Sequence, residues 1–191
     1  MKQAMYGLIL YVFLMLPPVI HLSESIMAIH MHMQMPLLAV VGILMTPFLQ
    51  KKFPGFFNTW NEHGFPGILL FLIVFSYWLI PRAMDDAMTL PYVEVFKFVS
   101  WPFLIGVPLR DSWTKISLTY KNITLTILAV LYLLMAGLYI FSPDQLCNNY
   151  LIVDQRTLGW SFLLVAFCFI IYVIQTLFID PSQFYEDSEE V

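Results

Sequence analysis

The sequence predicts an all-α, polytopic membrane protein, and three observations carry that prediction. The 191 residues are 60% hydrophobic and only 12% charged, whereas a soluble domain carries about 25% charged residues. Mean hydropathy is +0.77. Six apolar stretches approach the roughly 20 residues that a helix needs to cross a bilayer.

In chain order, the first stretch runs from about Met5 to Ile20 and carries Pro17-Pro18 near its end. Only Lys2 precedes it and no small-residue cleavage site follows, so it reads as a retained helix rather than a signal peptide. The second spans about Ser25 to Leu49, with Pro36 and Pro47 as expected kinks. The third lies near Pro66 to Ile80. The fourth lies near Val93 to Leu109, with Pro102 and Gly106 inside it and Glu94 and Lys97 in its first turn. The fifth covers about Ile123 to Phe141 and the sixth about Gly159 to Ile179. Trp60, Tyr77, Trp78, Trp101, Trp113, Tyr150 and Trp160 fall near the ends of these stretches, as aromatic belts do. Residues 1–180 read as one transmembrane domain, followed by an acidic tail over 181–191.

Basic residues orient the bundle. Lys2, Lys51, Lys52, Arg110, Lys115 and Lys121 fall on one side, and Arg82, Lys97 and Arg156 on the other, six against three. The positive-inside rule therefore puts both termini and the acidic tail in the cytoplasm. Loops one, three and five then face outward, towards the periplasm if the membrane is the inner membrane of a Gram-negative cell. Net charge is −4 and no basic patch suggests nucleic acid. Cys147 and Cys168 are far apart and form no CxxC, so neither a disulfide nor a metal site follows from them.

One segment stands out chemically. Between His21 and Met35 lie three of the four histidines and four of the eleven methionines. Ionisable groups are costly inside a bilayer and mark function by default, and imidazole with thioether suits copper. On a helical wheel with Glu24 at zero, Met27, Met31 and Met35 fall within about 60° of it and His32 at about +80°. His30, at about −120°, points elsewhere, beside Gln34. The expected arrangement is thus a shallow outer part, His21 with Glu24, and a deeper part in which His30 and His32 face different sides. The third loop adds Asp85 and Asp86 on the outer side. Carboxylate with imidazole suits a divalent first-row metal, and the methionine face suits Cu(I). Plainer readings exist for each group. A methionine stripe on a membrane helix is more often packing, Asp86 can pair with Arg82 four residues earlier, and His63 can simply be exposed.

The run His30-Met31-x-x-Gln34 resembles the His-Met-x-x-His helix of the bacterial CtaG-like membrane proteins. The segment Trp78 to Pro91, with Asp85-Asp86-Ala87-Met88, is similar to that family's Asp-Ala-Leu element and following proline. Gln34 stands where the motif has its second histidine, and Tyr92, Glu94 and Lys97 occupy the region of its later histidines. The resemblance implies a role in assembling the copper centres of cytochrome c oxidase. Only His30, Met31 and one of Asp85 or Asp86 match its motif positions.

No Walker A, GxGxxG, nucleophile elbow or HExxH motif occurs, so enzymatic activity is not expected. The leading expectation is a membrane protein that binds or delivers copper on its outer face, through His21, Glu24, His30, Met31, His32, Asp85 and Asp86. It would aid a copper-dependent membrane oxidase or oxygenase. The alternative is an accessory subunit of a larger membrane complex, without its own metal. A small transporter using Glu24 and the Asp pair is a third class.

Overall fold

The computed structural model describes residues 2–178, and within them the chain is helical with no strand. The acidic tail expected over 181–191 lies outside the described residues. Nine helices follow one another: α1 (Lys2–Leu14), α2 (Pro17–Glu24), α3 (Met27–Lys52), α4 (Pro54–Trp60), α5 (Phe65–Leu79), α6 (Pro81–Thr89), α7 (Pro91–Trp113), α8 (Leu118–Phe141) and α9 (Ile152–Phe178). Four of them, α3, α7, α8 and α9, are long and apolar enough to cross a membrane. The number rises to six if the bent pairs α1–α2 (72°) and α4–α5 (86°) each count as one span. The six-span expectation is the upper end of that range, and its first and third members are the bent ones.

Proline sets the helix starts. Helices α2, α4, α5, α6 and α7 each carry proline in their first two positions, where the missing N–H is no loss and the fixed φ suits the helix. One such start falls where a loop was expected, and one helix drawn as continuous is broken. The third loop, Arg82 to Met88, is helical as α6, burying Ala83, Met84 and Ala87. Glu24 does not share a helix with His30: it ends α2, and Ile26 is extended (φ −127°, ψ 121°) before α3 begins. The wheel drawn from Glu24 therefore does not hold across Ser25-Ile26.

Inside the spans the prolines act differently. Instead of simple kinks at Pro36 and Pro102, α3 and α7 widen into π-helical segments over His30–Gln34 and Trp101–Gly106. A mid-helix proline removes the hydrogen bond to the carbonyl four residues back and crowds it, and an extra residue in the turn relieves that crowding. Freed carbonyls in a bilayer need other donors. The Tyr11 hydroxyl donates to the Phe98 carbonyl (3.1 Å), four residues before Pro102, and Arg110 Nη1 donates to the Ile43 carbonyl (3.1 Å), four residues before Pro47.

Helices α3 and α7 touch backbone to backbone. A Cβ added to Gly42 would collide with the Pro102 carbonyl, and one added to Gly106 with the Ala39 carbonyl. Small residues let membrane helices approach this closely. Gly42→Ala is expected to cost about 1–3 kcal/mol through overpacking. Gly137→Ala, in open space inside α8, is expected to stabilise by about 0.5–1 kcal/mol. Unfolding midpoints in detergent check the opposite signs; equal effects would mean that the helices do not meet at Gly42.

The remaining spans, α8 and α9, pack chiefly against each other. Among the contacts that join their hairpin to the rest, the His32 ring lies 4.9 Å from Phe162 and 6.2 Å from Tyr132, centroid to centroid.

Candidate functional site

Two buried polar clusters lie at opposite ends of the bundle, and they differ in how well their groups are satisfied. At the end carrying Arg110, Asp111 is buried and its carboxylate accepts from Gln50 Nε2 (2.5 Å), Asn61 Nδ2 (2.5 Å) and Lys115 Nζ (2.8 Å). Asn61 also donates to Ser112 Oγ (2.9 Å) and accepts from the Gly67 amide (3.0 Å). The Asn61 carbonyl takes a further bond from Lys115 (2.7 Å). This cluster holds the sharp α4–α5 turn, where Gly64 supplies φ +82°, against the end of α7. Every member is paired, so it serves as a structural clasp. Sequence reasoning passed over Asp111, Asn61 and Gln50 because they come from three separate segments; the i,i+4 spacing of Asp111 and Lys115 was its only trace. His63, beside Glu62 at 4.0 Å with both side chains exposed, belongs to neither cluster.

The cluster at the Glu24 end is the candidate functional site. Lys97, fully buried in α7, places its ammonium 2.5 Å from Glu24 Oε1 and 4.9 Å from the centre of the Phe98 ring. Tyr150 donates to the Glu24 carbonyl (2.8 Å) and so ties the α8–α9 connection to α2. Burial pushes the Tyr150 hydroxyl above its ordinary pKa, and the Glu24 carboxylate adds to the effect. An ionisable residue inside an apolar span is a signal in itself, so Lys97 was legible in the sequence as more than a counted basic residue.

Deeper in the bundle the polar groups lack partners. Contacts of Gly42 with Pro102, Ala39 with Gly106 and Ile43 with Arg110 set the register of α3 against α7. His30 and Gln34 lie in the π segment of α3, and Trp101 opens the π segment of α7. Neither the ring nitrogens of His30 nor the amide of Gln34 nor the indole N–H of Trp101 makes a hydrogen bond of good geometry. His30, Gln34 and Trp101 are at most 4% exposed. An unpaired buried group costs about 1–3 kcal/mol, and all three residues sit in or beside π segments, which occur frequently at functional sites. By contrast Trp78, equally buried, gives its indole N–H to Ser100 Oγ (2.9 Å). His32 turns the other way, against Phe162 and Tyr132, and its ring nitrogens are likewise without well-aligned partners. The expectation that the two histidines face different sides matches this arrangement.

The other expected ligands are dispersed. His21 is exposed on α2. Met31 joins Met27 and Met35 in the hydrophobic core, where all three are buried. Asp85 receives four N–H bonds, from the Asn148 amide and side chain (3.0 Å each) and from the Asn149 amide and side chain (3.2 and 2.8 Å). Asp86 faces Arg82 at 3.9 Å on an exposed surface, a pair worth about 0–1 kcal/mol. Among the described residues no three His, Cys, Asp or Glu side chains converge as ligands of one ion. The predicted set of Glu24, His21 and an aspartate does not fit copper here. Glu24 already neutralises an ammonium, and Asp85 has its lone pairs filled by the 148–149 backbone and amides.

Asp85 instead pins the α8–α9 connection, and this buries Cys147. The Cys147 sulfur sits 3.8 Å from the Pro81 carbonyl and 3.9 Å from the Tyr139 hydroxyl. Burial pushes the thiol up from 9.0 to about 11, opposed by the Tyr139 bond and aided by the Asp85 charge. Near neutral pH the thiol therefore holds about a hundredfold less thiolate than an ordinary cysteine. In a Cys168→Ser background, maleimide labelling of Cys147 is expected to be slow at pH 7 and to rise with pH toward about 11. Asp85→Ala is expected to speed it at least tenfold by freeing the connection. Fast labelling of the parent protein at pH 7 would show the thiol to be exposed.

Comparison of the chain with protein-family models, with curated proteins and with solved structures finds no match.

Proposed function

We propose that this chain is a non-catalytic accessory protein of a larger respiratory or oxygenase complex in the bacterial inner membrane, without a resident metal of its own. The observation that carries this reading is what the acidic groups do. Glu24 holds Lys97, Asp85 holds Asn148 and Asn149, and Asp86 faces Arg82. Carboxylates that look like ligands in the sequence serve as struts between helices and connections. The motif resemblance around His30-Met31 and Asp85-Asp86 supports the kind of complex, one with copper centres, rather than a copper site in this chain.

A second reading, transient copper handling, is favoured by the unpaired imidazoles of His30 and His32. Neutral imidazole with nearby thioether is a donor set for Cu(I). One experiment separates the two. The protein is purified natively from its own membranes and from a His30→Ala, His32→Ala strain, and copper is measured together with co-purifying subunits. The accessory reading expects a stable multi-subunit partner and copper at background in this chain after the partner is stripped. Stoichiometric copper that disappears in the double variant would replace it with the copper-handling reading. An isolated chain with neither partner nor copper would overturn both.

A further inference from the structure

Because α8 and α9 pack mainly on each other, a cleft of about 630 Å³ opens between them and the α3–α5–α7 body. Its walls are apolar, including Val40, Ile43, Phe71, Ile105, Leu125 and Phe169. Arg110, Trp113 and Thr114 line one end. The Lys121 ammonium stands 5.8 Å from the centre of the Trp113 ring. Arg110 uses Nη1 on the Ile43 carbonyl and reaches Gln3 only at 3.5 Å with Nη2. Among the described residues no carboxylate lies within ion-pair distance of Arg110 or Lys121.

An apolar cleft of this size with one polar end suits an amphiphile. Arg110 at this end, with Lys121 over the Trp113 ring that lines it, selects a negative head. Arginine presents a fork of N–H donors that matches phosphate, and basic pockets between spans at the cytoplasmic surface recognise anionic lipid heads. The positive-inside count puts this end at that surface. We infer that the cleft is a binding site for one anionic phospholipid, its acyl chains between α3, α7 and α8 and its phosphate at Arg110 and Lys121. This site is separate from the Glu24–Lys97 cluster and does not rest on the accessory role.

The test uses the full-length protein in detergent, with native mass spectrometry and thermal unfolding. The probes are phosphatidylglycerol and phosphatidylcholine with the same acyl chains. Phosphatidylglycerol is expected to bind as one molecule per chain, at least tenfold more tightly than phosphatidylcholine, and to raise the unfolding midpoint more. Arg110→Gln with Lys121→Gln should erase that preference and leave phosphatidylcholine binding unchanged. Val40→Trp, which fills the cleft from a half-exposed position, should weaken both lipids at least tenfold. Should the charge variants fail to fold, the wild-type preference and Val40→Trp still decide. Equal affinity for the two lipids, a preference that survives the charge variants, or binding untouched by Val40→Trp would each overturn the proposal. So would an affinity that rises when Glu186, Asp187, Glu189 and Glu190 are changed to amides, because the chain's own acidic tail would then be the occupant.

Discussion

Glu24→Ala is expected to destabilise the protein by about 3–5 kcal/mol, the cost of leaving one half of a buried ion pair without its partner. The reason is the position of Lys97. Its side chain is fully buried, with the Glu24 carboxylate 2.5 Å away. No water reaches it to replace what the carboxylate supplies. Glu24→Gln, which keeps a carbonyl oxygen in place, should lie between wild type and Glu24→Ala. Removing both charges should behave differently, because replacing a buried pair by apolar groups of similar volume is often neutral or stabilising. Lys97→Met combined with Glu24→Gln is thus expected to recover most of the loss. Unfolding titrations of the singles and the double form a cycle whose coupling measures the pair. A double variant no more stable than the worse single would show that Glu24 and Lys97 do not act together.

Asp111→Ala is expected to cost a similar amount, about 3–5 kcal/mol, for a different reason. Here one carboxylate satisfies three donors from three segments, Gln50, Asn61 and Lys115. Its loss strands an ammonium and two amides and releases the α4–α5 turn from the end of α7. Lys115→Ala should cost clearly less, because the Lys115 side chain is 25% exposed against 1% for Asp111 and water can take up part of its role. Asp111→Asn should be intermediate. If Asp111→Ala proves no worse than Lys115→Ala, the clasp does not hold the turn.

These clusters show where sequence reading reaches and where it stops. The long apolar stretches and the opposed directions of His30 and His32 were legible, because each follows from composition or local helical spacing. The grouping of His21, Glu24 and the aspartates into one site was not borne by the geometry. Helical spacing gives a direction only within one unbroken helix, and the extended Ile26 separates Glu24 from His30. The third loop offered carboxylates on the right side of the membrane, but topology says nothing about which donors reach them. Asn148 and Asn149, more than sixty positions away, reach Asp85 first.

What the sequence by itself determined is the class of molecule and the location of its long apolar helices. Hydrophobic runs long enough for a bilayer can satisfy their backbone only as helices, and proline marks where five of the nine described helices begin. What only the tertiary structure decided is the state of each polar side chain. Lys97 meets Glu24, Tyr11 and Arg110 meet the carbonyls that proline frees, and the side chains of His30, Gln34 and Trp101 are buried without a well-aligned hydrogen bond. The physical reason is that a buried polar group is stabilised by whatever the packing brings within about 3 Å, and that proximity between distant segments is not written in any local pattern.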